Sequence, residues 1–130
     1  YAVPREHGIE AFSRVRRLAD GLDRPVSFPV EFRVLGADDI PLSTATGRDS
    51  AYIAVHVFRG TPHEDYFRGV EAIMDDYDGR PHWGKIHFQD AEALADLYPQ
   101  WDHFQTVRRR LDPDGRFTNA YLERVLGPLR

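Results

Sequence analysis

The chain has 130 residues, 42% of them hydrophobic and 29% charged, so it is large enough for one folded domain and too apolar to be disordered throughout. Its formal net charge of −4 argues against electrostatic binding to a nucleic acid. The absence of cysteine excludes a disulfide scaffold, and no apolar run approaches the roughly 20 residues that a membrane-spanning helix needs.

The first third of the chain predicts a helix followed by a strand. Apolar residues at helical spacing predict a helix over residues 6–20, and Gly21 suits its C-terminus. Alternating apolar and polar residues over 26–34 predict a strand with one buried face. Because Pro29 has no amide N–H to donate, this strand should lie at a sheet edge or be bulged.

The middle third predicts a long loop, a second strand and a second helix. Residues 36–49 are polar, and connections of this length are commonly functional or carry short structure of their own. Alternation over 51–58 predicts the second strand. Thr61 as N-cap and Glu64 as its capping-box partner predict a helix that ends at Gly79.

The last third predicts one short extended segment and three helices. Residues 81–88 are predicted to be extended, and Asp90 is placed to cap the helix that follows. Pro99 opens a helix whose apolar face continues to Leu111, and Asn119 caps the last one. Strands among helices without βαβ alternation predict an α+β fold, an antiparallel sheet flanked by helices.

Glu31 and Arg33 form the first candidate site. They are two residues apart on a predicted strand, so their side chains point the same way, about 6.6–6.8 Å apart along it. A carboxylate beside a guanidinium can bind sugar hydroxyls and stabilise a developing anion. The same pair is also compatible with a solvent-facing ion pair that contributes about 0–1 kcal/mol.

Residues 79–87 are the second candidate site, with the sequence Gly-Arg-Pro-His-Trp-Gly-Lys-Ile-His. In an extended segment Trp83, Lys85 and His87 share one face, and His82 lies on the other. Lys85 would then be a fixed cation in a polar pocket and Trp83 one of its walls. The alternative is a surface loop with a buried tryptophan.

The six histidines do not form a recognisable metal site, because none has the spacing of a known ligand set. His56 is a separate case: it stands beside Tyr52 on the second predicted strand, either as a pocket residue or as a hydrogen-bonded strand residue. The chain contains no cysteine nucleophile, GxSxG, GxGxxG or P-loop. The residues alone therefore indicate an acidic α+β domain with a candidate sugar-like pocket.

Six segments in order carry a resemblance to one enzyme family. The series resembles the C-terminal, substrate-side region of the FAD-dependent sugar-1,4-lactone oxidases, the D-arabinono- and L-gulono-1,4-lactone oxidase family. The family signature is His-Trp-X-Lys, which stands at 82–85 in this chain. The resemblance spans practically the whole chain, and its matching segments are 28–33, 37–43, 47–50, 79–85, 111–117 and 119–122.

The resemblance implies that residues 1–130 are the single C-terminal substrate (cap) domain of a vanillyl-alcohol-oxidase-like flavoenzyme. FAD would be bound mainly by an N-terminal domain that this chain lacks, so the chain would be a fragment that is inactive alone. The N-terminal FAD-binding domain or chain is thus the implied partner, besides a small sugar lactone or polyol. The resemblance implies a cytoplasmic location, with the peripheral membrane association known in the family left open.

The resemblance also implies roles for single residues. Glu31 would hold the substrate, and Arg33 would stabilise the reduced, anionic flavin. Lys85 would lie at both the flavin and the lactone, so that Arg33 and Lys85 are the implied catalytic and cofactor-binding residues. The other implied substrate-binding residues are His56, His82 and Trp83.

The implied reaction is oxidation of an aldono-1,4-lactone, of the D-arabinono or L-gulono type, to a 2-keto lactone that enolises to an ascorbate-like product. In the related alditol oxidases the matching histidine is followed two residues later by a threonine that contacts a linear polyol. Here bulky Phe58 follows His56, which favours a lactone. The alternatives are an alditol oxidase acting on xylitol- or sorbitol-type substrates and a non-catalytic carbohydrate-binding module.

Overall fold

The computed structural model describes residues 1–129, and the prediction of an α+β fold with an antiparallel sheet and helices is confirmed. Three strands form the sheet in the order β1-β3-β2. Within the described residues, no helix is long and apolar enough to cross a membrane. The elements are β1 (Ala2–Pro4), a 3-10 turn (Arg5–His7), α1 (Gly8–Asp20), β2 (Glu31–Leu35), β3 (Ser50–Ala54), α2 (Glu64–Asp75), α3 (Ala91–Leu97), α4 (Trp101–Leu111) and α5 (Ala120–Leu126).

The side chains of the central strand β3 alternate between the core and the opposite face of the sheet. Ala51 and Ile53 are buried and pack against α1 and α2 in the first of two cores. Tyr52 and Ala54 point the other way, because side chains alternate along a strand. The buried partners of β3 in this first core include Val3, Val15, Val70 and Met74.

The three C-terminal helices form the second core. Leu94 of α3, Trp101 of α4 and Val125 of α5 are buried together. Helix α4 begins at Trp101, two residues after the predicted start at Pro99. The predicted caps of α3 and α5 are confirmed: Asp90 accepts the Ala93 N–H at 3.1 Å. Asn119 likewise accepts the Leu122 N–H at 2.9 Å.

Buried Arg80 connects the two cores. Its backbone pairs with that of Ala2 at the edge of the sheet through two hydrogen bonds of 2.9 Å. Its guanidinium donates to the carbonyl oxygens of Leu97 at 2.8 Å and Thr46 at 2.7 Å. One side chain therefore ties the sheet, the long loop and α3 together.

The strands are shorter than predicted. Strand β2 begins at Glu31, because Pro29 cannot donate to a neighbouring strand and residues 26–30 run outside the sheet. Its position at a sheet edge is confirmed, but its predicted buried face is not, since all five of its residues are exposed. Strand β3 ends at Ala54 rather than at residue 58. Strand β1 was not predicted, because three residues show no usable alternation.

Helix α2 begins and ends differently from the prediction. The Thr61 N–H donates to the Phe58 carbonyl at 3.0 Å, so Thr61 closes a turn instead of capping a helix. The helix starts at Glu64 without a side-chain cap and ends at Asp75. The Gly79 N–H donates to the Met74 carbonyl at 2.9 Å, so this hydrogen bond closes a turn directly after the helix.

Replacing Gly8 should destabilise the contact between α1 and β3. A Cβ at Gly8 would lie 2.5 Å from the Ala51 Cβ and 3.2 Å from the Phe32 ring. Overpacking of this kind typically costs about 1–3 kcal/mol, although Gly→Ala in a helix otherwise gains roughly 0.5–1 kcal/mol. We expect Gly8→Ala to lower the free energy of unfolding in urea. Gly36→Ala is the control, since nothing lies within 4 Å of that position; equal stability of the two variants would contradict this packing.

His87 should make the fold sensitive to acid. It is 4% exposed, and burial, followed by the nearby charge of Arg124, lowers its pKa from 6.5 to about 4. Below pH 6.5 the unfolded chain therefore binds a proton that the folded chain does not, so stability falls towards pH 4. The loss should be roughly 3 kcal/mol over this window.

Urea unfolding at several pH values between 7 and 4 measures this effect. We expect His87→Gln to flatten the fall in stability, because the buried titrating group is gone. His103→Gln, on the exposed side of α4, serves as the control and should keep the wild-type slope. An unchanged slope in His87→Gln would show that other groups carry the acid sensitivity.

Candidate functional site

An open pocket of about 460 Å³ lies where β2 begins and β3 ends. Its volume falls within the range of about 300–1,000 Å³ that is typical of small-molecule sites. The wall opposite the strands is formed by the segment that follows Arg80, which contributes Pro81, His82, Lys85 and Ile86. Of the six residues implied to form the site, five line this pocket: Glu31, Arg33, His56, His82 and Lys85.

Glu31 and Arg33 lie on the face of β2 that points into the pocket. In the register of the sheet Glu31 stands opposite Ala54 and Arg33 opposite Tyr52. Ala54 and Tyr52 also line the pocket. The Arg33 guanidinium donates to that carboxylate in an exposed ion pair. Such pairs are weak, so a ligand can rearrange this one at little cost.

The motif at 82–85 forms a turn and not the predicted extended segment. The Lys85 N–H donates to the His82 carbonyl at 3.0 Å, and the Gly84 N–H donates to His82 Nδ1 at 3.0 Å. The turn directs His82 and Lys85 to the pocket. The predictions that Trp83 shares a face with Lys85 and that His82 lies on the opposite face are therefore wrong. The alternative, a loop whose tryptophan packs on a core, agrees with the structure.

Trp83 points away from the pocket and packs on the second core. Its Nε1–H donates to the Leu42 carbonyl at 2.9 Å, and its ring centroid lies 5.4 Å from that of Tyr98. It is absent from the pocket lining. In this structure Trp83 anchors the turn, and its implied contact with a substrate stays a prediction.

His56 lines the pocket just beyond the end of β3. Its Nδ1 is buried and has no hydrogen-bond partner among the described residues. Its ring lies 5.5 Å from that of Phe28. Phe58, the residue that favoured a lactone in the sequence analysis, lies outside the pocket, with its ring centroid 4.9 Å from that of Phe28. Its neighbour Val57 lines the pocket instead.

Two tyrosines of the pocket were not singled out as site residues from the sequence. The Tyr52 hydroxyl lies 2.7 Å from Thr44 Oγ1 of the long loop. The Tyr1 hydroxyl donates to the Glu71 carboxylate at 2.6 Å, and burial together with that carboxylate raises the pKa of Tyr1. The alternation along β3 places Tyr52 on the face of Arg33, but a tyrosine by itself indicates no particular chemistry.

The charges around the pocket favour an anion. Arg33 and Lys85 contribute two cations against the one carboxylate of Glu31. Apolar side chains such as Val55, Val57 and Phe67 complete the lining, and charges act more strongly beside apolar walls than in water. The arrangement can bind hydroxyl groups and stabilise negative charge that develops on a ligand. Among residues 1–129 no cluster of three potential metal ligands occurs.

Comparison with known proteins assigns the chain to a family. The family model described as D-arabinono-1,4-lactone oxidase matches residues 1–125. L-gulono-1,4-lactone dehydrogenase of Mycobacterium tuberculosis is 58% identical over 98% of this chain. L-gulonolactone oxidase of Bos taurus is 38% identical over 96%, and alditol oxidase of a Streptomyces species is 36% identical over 97%.

The chain spans about 30% of the length of each of these relatives. The match nonetheless extends over nearly all of the chain and includes both sides of the pocket. The chain belongs to the D-arabinono-1,4-lactone oxidase family.

Proposed function

We propose that this chain is the substrate-binding and catalytic C-terminal part of an FAD-dependent oxidoreductase that oxidises an aldono-1,4-lactone to a 2-keto lactone. The observation that carries the proposal is the convergence of Glu31, Arg33 and Lys85 on one pocket from two distant parts of the sequence. The names of its relatives support an oxidoreductase that acts on a sugar lactone.

The pocket fits the ring system of a flavin better than the rest of FAD. Apolar side chains can pack against a flat ring, and Arg33 and Lys85 offer positive charge beside it. The chain has no glycine-rich loop that would cradle a pyrophosphate. We therefore assign the binding of the phosphates to a separate N-terminal domain, the partner of this chain. Bound FAD would supply the two-electron redox chemistry.

The residues of this chain would orient the substrate and stabilise charge. The Glu31 carboxylate accepts hydrogen bonds from lactone hydroxyls, and the His56 ring, which lines the pocket, binds another hydroxyl. Arg33 and Lys85 place positive charge where negative charge grows during oxidation. His82 completes the polar wall beside Lys85.

An alditol is the second candidate substrate. The alditol oxidase relative matches nearly the whole chain, and the pocket of this chain is open to solvent rather than closed around a ring. Reduction of the bound flavin by a panel of aldonolactones and alditols decides between the two. A full-length parent protein without a flavin-binding domain would be a carbohydrate-binding module instead.

Lys85 should be essential for flavin reduction in the full-length protein. Preorganised charge of this kind contributes about 2.7–4 kcal/mol, so Lys85→Met should slow reduction by lactone roughly 10²–10³-fold. Lys85→Arg should recover only part of the rate, because a planar guanidinium is bulkier than an ammonium group. Anaerobic stopped-flow spectroscopy measures the reduction.

The matched control removes a cation that lies far from the pocket. Arg109→Met on the exposed side of α4 should reduce its flavin at the wild-type rate. If Lys85→Met also reduces at the wild-type rate with unchanged saturation, Lys85 has no part in the reaction.

A further inference from the structure

One hydroxyl group from α5 holds both sides of the turn that carries Lys85. The Tyr121 hydroxyl donates to the Trp83 carbonyl and lies 3.1 Å from Nε2 of His87. Lys85 is two residues from each of these contacts. We propose that Tyr121 is a positioning residue that fixes the place of Lys85 in the pocket, an inference that rests on the proposed function.

The direction of these hydrogen bonds follows from the protons available. Tyr121 has one hydroxyl proton, which goes to the Trp83 carbonyl, so its oxygen must accept from His87. His87 therefore carries its proton on Nε2 and leaves Nδ1 as an acceptor, which has no partner among the described residues. The result is a directed chain from His87 through Tyr121 to the backbone of the turn.

The side chain of Lys85 has nothing of its own to hold it in place. It is exposed, and within residues 1–129 it makes no ion pair or side-chain hydrogen bond. Among the described residues, the only constraint on its ammonium group is where the backbone of the turn places the start of the side chain. Within the turn, one hydrogen bond from the Lys85 N–H closes the backbone. Contacts from outside the turn must supply the remaining rigidity.

Helix α5 is a suitable base for such contacts. Val125 is fully buried in the second core, so the helix is fixed on the side away from the pocket. One turn beyond Tyr121, the Arg124 guanidinium donates to the Gln89 carbonyl and lies 5.3 Å from the Tyr121 ring centroid. Side chains of α5 thus form hydrogen bonds with the segment after Arg80 at Trp83, His87 and Gln89.

A matched pair of substitutions separates the hydroxyl of Tyr121 from its ring. Tyr121→Phe keeps the ring beside His87 and removes both hydrogen bonds. Tyr98→Phe makes the same change in the same core, where the Tyr98 ring packs on Trp83 but its hydroxyl has no partner among residues 1–129. A general effect of losing a tyrosine hydroxyl should appear in both variants. Loss of the two hydrogen bonds to Trp83 and His87 affects only Tyr121→Phe.

The first measurement needs no enzymatic activity. Lys85 is the only lysine of this chain, so a lysine-selective protease cleaves the chain at that position alone. In the folded, flavin-loaded full-length protein, mass spectrometry follows the peptide that ends at Lys85. We expect cleavage about tenfold faster in Tyr121→Phe than in the wild type, because the turn opens more often, and unchanged in Tyr98→Phe. Unchanged cleavage in Tyr121→Phe would overturn the inference.

The second measurement asks whether Tyr121 acts through Lys85. Displacement of a catalytic group by about 1 Å can cost up to roughly 10²-fold, so we expect Tyr121→Phe to slow flavin reduction at saturating lactone about tenfold or more. In the Lys85→Met background the same change should slow it no further. An equal slowing in both backgrounds would overturn the inference. If lactone fails to reduce the wild-type flavin, the proposed function is wrong, and the cleavage result alone decides whether Tyr121 holds the turn.

Discussion

The pocket depends on how the segment after α2 is fixed between the two cores. At its start the buried Arg80 guanidinium donates to carbonyl oxygens of the long loop and α3. Near its end the Phe88 N–H donates to the buried Glu71 carboxylate of α2 at 2.8 Å. Between these points the chain turns sharply, and the turn brings Lys85 to the pocket beside strand β2, which carries Glu31 and Arg33. Unpaired, these buried groups would each cost about 1–3 kcal/mol or more, which holds the segment to one path.

Local patterns allowed prediction of much of the fold and of the shared face of Glu31 and Arg33. The period of two along β2 placed Glu31 and Arg33 on one face, and Asp90 and Asn119 were read correctly as caps because capping depends on residues close in sequence. The turn at 82–85 was missed. Its partners, such as Leu42 and Tyr121, are remote in sequence, so no local pattern reveals them. The direction of Trp83 stayed open between two alternatives for the same reason.

The pocket combines charged side chains with apolar walls. Arg33 and Lys85 outnumber the carboxylate of Glu31, and apolar walls strengthen their field. The chain supplies these groups without a phosphate-binding element, and it spans about 30% of its relatives' length. In the function that we propose, this division accounts for an open pocket: this chain supplies the residues that orient a sugar, and the cofactor reaches them from another domain.

The central claim is that Glu31, Arg33 and Lys85 act together on one bound lactone. A crystal structure of the full-length, flavin-loaded protein with an aldono-1,4-lactone tests this most directly. The account predicts that the lactone lies in the pocket, with its hydroxyls on the Glu31 carboxylate and Lys85 within hydrogen-bonding distance of an oxygen of the lactone. A lactone bound elsewhere, in contact with none of these three residues, would contradict it.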